Sequence, residues 1–173
     1  GSFVLSRNFT LQKVGDESWL RKNYDFQRVA HFIDELIILD VSRQNRNIDS
    51  FCEAVRSVAE YCFVPISAGG GVTSISNAKS LLQAGADKIV VNSALFHDPI
   101  FVTELVRKYG SQCVVASFEI NRTVGDNFEM YTRNGSCLQR ASSSALISQI
   151  VNLGVGEFYV NSINQDGTGQ GFD

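Results

Sequence analysis

Residues 82–93, LQAGADKIVVNS, and residues 151–162, VNLGVGEFYVNS, are two copies of one sequence pattern. Each copy reads as the end of a helix, a turn that contains glycine, a charged residue, an apolar strand and a polar pair. Residues 33–40, IDELIILD, form a weaker third copy. A helix and strand unit that recurs in this way predicts an α/β protein with polar residues at the carboxyl ends of its strands.

Further strands and helices alternate along the rest of the chain. Apolar runs predict strands at residues 36–39, 64–68, 89–91, 114–118 and 158–160. Because these runs are apolar on both faces, they are typical of a parallel sheet that is covered on both sides. Segments with helical spacing of apolar residues lie at 51–62, 75–82 and 102–109. Their predicted start signals are Asp49-Ser50, Thr73-Ser74 and Asp98-Pro99.

The alternation fits two architectures, an open doubly wound sheet and a parallel barrel. The glycine turn at residues 69–71 does not have the G-x-G-x-x-G spacing of dinucleotide-binding folds. The sequence therefore favours an incomplete TIM (β/α)8 barrel of about five to six βα units with parallel strands.

Composition and charge limit the kinds of partner. With 173 residues and 44% hydrophobic content, we expect a single partial barrel domain over residues 1–173. A net charge of -3 argues against nucleic acid and anionic membranes as partners. Without a predicted membrane span or signal peptide, we expect a cytoplasmic location. The four cysteines form no C-x-x-C pair, so we expect free thiols, no metal and no cofactor.

Residues 69–71 are three glycines between a predicted strand and a predicted helix. Only glycine lets the backbone approach an oxyanion closely with its N–H groups exposed, so this turn is a candidate phosphate site. The alternative is a tight turn without a ligand. Asn92 and Ser93 end the next strand and would add an amide and a hydroxyl to the site. Asp40, Arg43 and Arg46 follow the predicted strand at 36–39 and could contact a ligand or remain solvated.

Two carboxylic residues end neighbouring strands. Glu119 follows the strand at 114–118, and Asp166 follows the strand at 158–160. At the carboxyl edge of one barrel they could serve as a general acid and base. The alternatives are an ion pair between Glu119 and Arg122 and an ordinary turn at Asp166.

A second group of charged residues is predicted at the opposite edge of the sheet. Glu35, Lys88 and Glu157 occupy matching positions in the three repeat copies, at the amino ends of three strands. We therefore expect their side chains to face one another. A salt-bridge ring that closes the bottom of the barrel is the simplest interpretation.

Several blocks of sequence, in order, resemble the cyclase subunits of imidazole glycerol phosphate synthase. The blocks are residues 34–40, 69–72, 85–88, 92–94, 109–112 and 161–168, within a match from about 15 to 173. The resemblance implies a (β/α)8 barrel that receives ammonia from a separate glutaminase subunit. It also implies a phosphorylated sugar-type ligand, in a reaction that forms imidazole glycerol phosphate in histidine biosynthesis.

The resemblance also implies roles for individual residues. It assigns the first phosphate of the ligand to Gly70, Gly71, Asn92 and Ser93, and an acid/base role to Asp166. It assigns a charged gate for ammonia, on the face that contacts the glutaminase, to Glu35, Lys88 and Glu157, with Gln112 near the entrance.

Two departures from the family pattern leave other functions open. Leu5 stands where the family has an essential aspartate on the first strand, and Glu119 replaces the aspartate that ends the fifth. Leu5 and Asn45-Arg46 resemble a paralogous branch that amidates sugars in surface polysaccharide synthesis. A related isomerase barrel that acts on the preceding pathway intermediate fits the gate residues less well.

A third alternative is a non-catalytic phosphate-binding fragment. The chain ends at Phe172-Asp173, soon after the predicted sixth strand. An open barrel leaves unpaired strand edges, and we therefore expect a homo-oligomer that covers them.

Overall fold

The computed structural model describes residues 2–7, 9–29, 31–125 and 127–172. The strands are β1 (Phe3–Arg7), β2 (Thr10–Gly15), β3 (Leu36–Leu39), β4 (Ile66–Gly69), β5 (Lys88–Val91), β6 (Val114–Arg122), β7 (Phe128–Thr132), β8 (Cys137–Leu138) and β9 (Glu157–Ser162). The helices are α1 (Glu17–Asn23), α2 (Phe26–Val29), α3 (Ile48–Ala59), α4 (Ile75–Gln83), α5 (Ala94–His97), α6 (Pro99–Tyr109) and α7 (Ser143–Asn152). A 3₁₀ turn spans Ser111–Cys113.

The main sheet contains five parallel strands in the order β3-β4-β5-β6-β9. The predicted α/β class and parallel sheet are confirmed. Within the described residues the sheet stays open and does not close into a barrel. β1 and β2 form a separate antiparallel hairpin.

The sequence did not predict the antiparallel strands β7 and β8. β7 pairs with the carboxyl-terminal half of β6, and β8 pairs with β7. Since β5 pairs only with the amino-terminal half of β6, the hairpin β7–β8 lies beyond the carboxyl end of β5. The hairpin is therefore placed beside the predicted site.

The helix start signals are confirmed in part. Ser74 and Asp98 cap α4 and α6, with their side chains accepting from the amides of Asn77 and Phe101. α3 is capped by Asn47, so the predicted cap at Asp49-Ser50 was wrong and lies within the first turn of the helix. The predicted strand at 64–68 begins only at Ile66.

The two faces of the sheet differ in chemistry because alternate residues of a strand point to opposite sides. On the side called here the helix face, apolar strand residues pack against the helices in the main core. Its buried members include Ala68, Ile89, Val91, Val114 and Ala116. The opposite side, called here the inner face, carries residues in register with one another that are mostly polar. Its polar members are Ser67, Lys88, Ser117, Glu119, Glu157, Tyr159 and Asn161, and its other members are Ile37, Leu39, Gly69, Val90 and Val115.

The two repeat copies adopt matching structures. Gly85 follows α4 and Gly154 follows α7, and both have positive φ angles, 107° and 80°. A left-handed residue at this position ends each helix and turns the chain into the next strand. No helix in the described residues is long and apolar enough to cross a membrane.

Candidate functional site

The glycine turn lies at the carboxyl end of β4. Gly70 and Gly71 have positive φ angles of 103° and 73°, a conformation that residues with a Cβ atom rarely adopt. A Cβ at Gly70 would also overlap the backbone of Asp40, and one at Gly71 would meet the guanidinium of Arg46. Within the described residues, the amides of Gly71 and Val72 donate to no partner. The turn thus presents backbone N–H groups beside an arginine.

Asn92 lies at the same edge, directly after β5. Its Nδ2 donates to the carbonyl oxygen of Ser117 at 2.9 Å and to Oε1 of Glu119 at 3.2 Å. Its Oδ1 accepts from the amide of Arg133 at 3.1 Å and the hydroxyl of Ser93 at 3.3 Å. Because an asparagine amide has two donor hydrogens and two acceptor positions, the protein itself occupies all of them.

Glu119 is buried on β6, with 6% of its surface exposed. Its Oε2 has no hydrogen-bond partner in the described structure. Burial raises the pKa of Glu119 to about 7, although the amide of Gly135 and the side chain of Asn92 favour the charged form. A carboxyl group with this pKa can both give and take a proton near neutral pH.

The turn between β7 and β8 covers the Asn92–Glu119 pair. Arg133, Asn134 and Gly135 have φ angles of 56°, 57° and 73°, so three consecutive residues are left-handed. This conformation directs the amide of Arg133 to Asn92, and the amide of Gly135 lies near Glu119. Non-glycine residues in this region are uncommon and often occur at functional sites.

Asp166 lies in the loop after β9. Its Oδ2 accepts from the hydroxyl of Ser6 at 2.6 Å and the amide of Phe9 at 3.0 Å. Both donors belong to the hairpin β1–β2, which thereby contacts the carboxyl edge. Leu5, the neighbour of Ser6 on β1, is 52% exposed.

Tyr159 was not a predicted site residue. It lies on the inner face, in register with Ser117 of β6. The next residues on the same face of these two strands are Asn161 and Glu119, which also form a register pair. Burial raises the pKa of Tyr159, and the charges of Asp166 and Glu119 raise it further. Glu157, Tyr159 and Asn161 alternate along β9, and this period of two was the sequence signal that could have identified the tyrosine.

At the amino edge, the three charged residues meet as expected. Lys88 Nζ lies 2.7 Å from Glu35 Oε2 and 2.7 Å from Glu157 Oε1. The buried hydroxyl of Ser67 also donates to Glu35. The hydrogen bonds from Lys88 and Ser67 lower the pKa of Glu35 despite its partial burial, and those to Glu157 and Glu35 raise the pKa of Lys88.

We expect Lys88→Met to destabilise the protein by about 1–2 kcal/mol at neutral pH, since it leaves two carboxylates facing each other. The effect is smaller than for a fully buried cluster because the Glu157 side chain is 44% exposed. The contribution of Glu35 is lost as pH falls below its ordinary value of 4.5, through its lowered pKa. That of Lys88 is lost as pH rises above 10.5, through its raised pKa.

Urea unfolding at several pH values measures this difference. The matched control is Lys79→Met on the exposed surface of α4, which should change the free energy of unfolding by less than about 0.5 kcal/mol. Equal effects of the two substitutions at neutral pH would show that the cluster contributes little to stability.

Other exposed groups lie at the amino edge. Gln112 lies in the 3₁₀ turn before β6. Phe32 and Phe63 lie in the segments that precede β3 and β4, and they are 81% and 69% exposed. Both side chains thus leave apolar surface exposed at the amino edge of the sheet.

Metal-ligating groups, cysteines and surface depressions were also considered as sites among the described residues. No group of three or more His, Cys, Asp or Glu residues there could hold a metal ion. The four cysteines are free, with Cys52 buried and the others partly buried. Surface depressions between α4 and α6, at Lys79, Glu104 and Lys108, contain none of the predicted site residues.

Comparison with known proteins identifies the family. A model of the family described as histidine biosynthesis protein matches residues 12–173. The protein named "Putative imidazole glycerol phosphate synthase subunit hisF2" of Parasynechococcus marenigrum (strain WH8102) is 43% identical over 173 residues. The alignment covers 100% of this chain and 64% of that relative, so the chain spans somewhat less than two thirds of the relative's length. The chain belongs to the histidine biosynthesis protein family.

Proposed function

We propose that this chain carries the ammonia-accepting cyclase site of an imidazole glycerol phosphate synthase. The observation that carries the proposal is Glu119, a buried carboxyl group with a pKa of about 7 and an unpartnered Oε2. It lies at the carboxyl edge of the parallel strands, where barrel enzymes hold their catalytic residues. The family membership and the name of the relative supply the reaction.

The proposed chemistry uses the two carboxyl groups at the carboxyl edge. Glu119 is about half protonated near neutral pH and can give or take a proton at the ligand. Asp166 accepts hydrogen bonds from the hydroxyl of Ser6 and the amide of Phe9, which hold its carboxyl group at the same edge. Asp166 is the second group proposed for proton transfer, as the family resemblance implies.

The proposed phosphate site is the glycine turn at the same edge. The amides of Gly71 and Val72, at the start of the segment that leads into α4, would donate to phosphate oxygens. The guanidinium of Arg46 lies beside Gly71 and would supply positive charge. The hydroxyl of Ser93 donates its one hydrogen to Asn92, so in this arrangement it offers only acceptor positions at the next strand end.

The proposed glutaminase surface is the opposite, amino edge of the sheet. Lys88, Glu35 and Glu157 lie there, with Gln112 on the same edge. The exposed side chains of Phe32 and Phe63 offer apolar area that a partner subunit would bury. Ammonia released at this edge would reach Glu119 along the mostly polar inner face.

The test is turnover with ammonium salts and the phosphoribosyl aminoimidazole carboxamide intermediate, with formation of imidazole glycerol phosphate followed by mass spectrometry. Loss of a general acid or base costs about 10²–10⁴-fold, so Asp166→Asn should lower kcat by that range. Asn152→Ala, on the exposed end of α7, should leave kcat unchanged. Absence of turnover in the unmodified chain, alone and with a glutaminase, would reject the cyclase proposal.

A second candidate is the amidation of a sugar in surface polysaccharide synthesis. Leu5 on β1 favours it, because a leucine cannot transfer a proton and because Leu5 and Asn45-Arg46 resemble the sugar-amidating branch. A non-catalytic phosphate-binding fragment remains the third candidate. Turnover of the imidazole precursor supports the cyclase, whereas phosphate binding without that turnover supports one of the other two.

A further inference from the structure

We propose that Asn92 is a positioning residue for Glu119, holding its Oε1 so that Oε2 is the oxygen that exchanges a proton with the ligand. This inference rests on the proposed catalytic use of Glu119. It differs from the expected role of Asn92 as a phosphate ligand, because none of the hydrogen-bonding positions of its amide is left for a phosphate.

The orientation of the Asn92 amide is fixed from both ends. Its oxygen accepts from the amide of Arg133, and a backbone amide can only donate. Its nitrogen donates to the carbonyl oxygen of Ser117, which can only accept. A flipped amide would place oxygen against oxygen and nitrogen against N–H, so the group that points to Glu119 must be a donor.

A donor at Oε1 decides where the proton of Glu119 resides. The protonated oxygen of a carboxyl group carries O–H and is the poorer acceptor, so the oxygen bound by Asn92 remains the carbonyl oxygen. The proton therefore resides on Oε2, which makes no hydrogen bond within the described residues, although the amide of Gly135 lies near the carboxyl group and favours its charged form. An unpartnered buried donor is costly, and a ligand that accepts from it removes that cost.

The proton step is balanced within this pair. The O–H bond at Oε2 breaks, the proton bonds to an oxygen or nitrogen of the ligand, and the electron pair stays on the carboxylate. The new carboxylate keeps the hydrogen bond from Asn92 at Oε1. In the reverse direction Oε2 takes a proton from the ligand, and the same donor stabilises the starting carboxylate.

Several titratable groups surround Glu119 and have to be considered in any test by pH. Tyr131 on β7 is the register partner of Glu119. Tyr159 on β9 lies two residues before Asn161, which is the register partner of Glu119 on that strand. Asp166 lies in the loop after β9, and Arg133 lies in the turn between β7 and β8. Neither tyrosine provides a charge near neutral pH, because the pKa of both is raised above its ordinary value of 10.0.

Infrared spectroscopy of the free protein, with ¹³C-labelled glutamate, tests the inference without any substrate. The band of Glu119 is identified by its absence from Glu119→Gln. In Asn92→Ala the proton affinity of Glu119 should increase about tenfold, because its charged form loses a hydrogen bond. The carbonyl band of protonated Glu119 should also move to higher wavenumber, since Oε1 loses its donor. Asn152→Ala is the control and should change neither property.

The pH at which Glu119 is half protonated, its titration midpoint, is read from this band as pH is varied. An Asn92→Ala protein that folds and keeps the wild-type titration midpoint and carbonyl frequency would overturn the inference. If this variant does not fold, the wild-type band decides, since a carbonyl frequency typical of a group without a hydrogen bond also overturns it. Because no turnover is involved, failure of the cyclase proposal would appear in the activity assay alone. A purely structural role of Asn92 would lower the melting temperature without moving the Glu119 midpoint.

Discussion

Glu119→Gln is expected to stabilise the protein by about 3 kcal/mol at about pH 8 and by little at about pH 4.5. The pKa of Glu119 is about 7 in the folded protein and 4.5 in an exposed reference state. A raised pKa means that the folded state binds the proton more tightly, so stability is lost as pH rises from 4.5 through 7. Glutamine has the shape of the protonated acid and does not ionise, so the variant avoids this loss.

Thermal and urea unfolding of both proteins across this pH range measure the difference. The matched control is Glu104→Gln on the exposed surface of α6, which should change stability by less than about 0.5 kcal/mol at each pH. A constant difference between Glu119→Gln and wild type from pH 4.5 to pH 8 would contradict the raised pKa. A gain in stability together with a loss of turnover would show that the site retains Glu119 at a cost to the fold.

The elements of the parallel sheet could be predicted because their signals are local. Continuous apolar runs gave β3, β5, β6 and β9, and the repeat gave the matching turns at Gly85 and Gly154. The charged cluster around Lys88 followed from the same repeat, since equivalent residues of parallel strands lie at the same edge. The repeated helix and strand unit thus predicted which residues lie at the amino edge and which lie at the carboxyl edge of the sheet.

The hairpin β7–β8 was missed although its turn contains Asn134-Gly135, a dipeptide that favours hairpins. β7 has five residues and β8 has two, so neither is long enough to give a clear periodic signal, and the segment was interpreted as a loop between two units. Without the hairpin, the burial of Glu119 could not be predicted. The raised pKa depends on that burial and is therefore a tertiary property.

Contacts between distant parts of the chain could also not be predicted from the sequence. The hydrogen bond from Ser6 to Asp166 joins residues 160 positions apart, and no local pattern indicates it. Asn92 was expected at the site from its place at a strand end. Its partners come from two other segments, Ser117 and Glu119 from β6 and Arg133 from the turn after β7, and only their relative placement determines which role the amide can have.

Gly70→Ala is expected to destabilise the protein by about 2–4 kcal/mol and to weaken binding of inorganic phosphate at least about tenfold. Two costs add at this position. A left-handed conformation with φ of 103° is unfavourable for alanine, and the new Cβ would overlap the backbone of Asp40. Because the amide of Asp40 donates to Gly69, relief of the overlap would separate the carboxyl ends of β3 and β4 and displace the amides of the turn.

Gly125→Ala separates the two costs. Gly125 also has a positive φ of 80°, but the nearest atom to an added Cβ is 3.7 Å away, on Asn127. This control should therefore lose only the conformational cost, about 1 kcal/mol, and should bind phosphate as wild type does. Urea unfolding and titration with inorganic phosphate, followed by NMR, measure both quantities. If the two alanine variants lose equal stability, the close approach at Asp40 has no energetic consequence. If Gly70→Ala loses stability but binds phosphate unchanged, the anion lies elsewhere at this edge, and the glycine turn serves the packing of β3 against β4 alone.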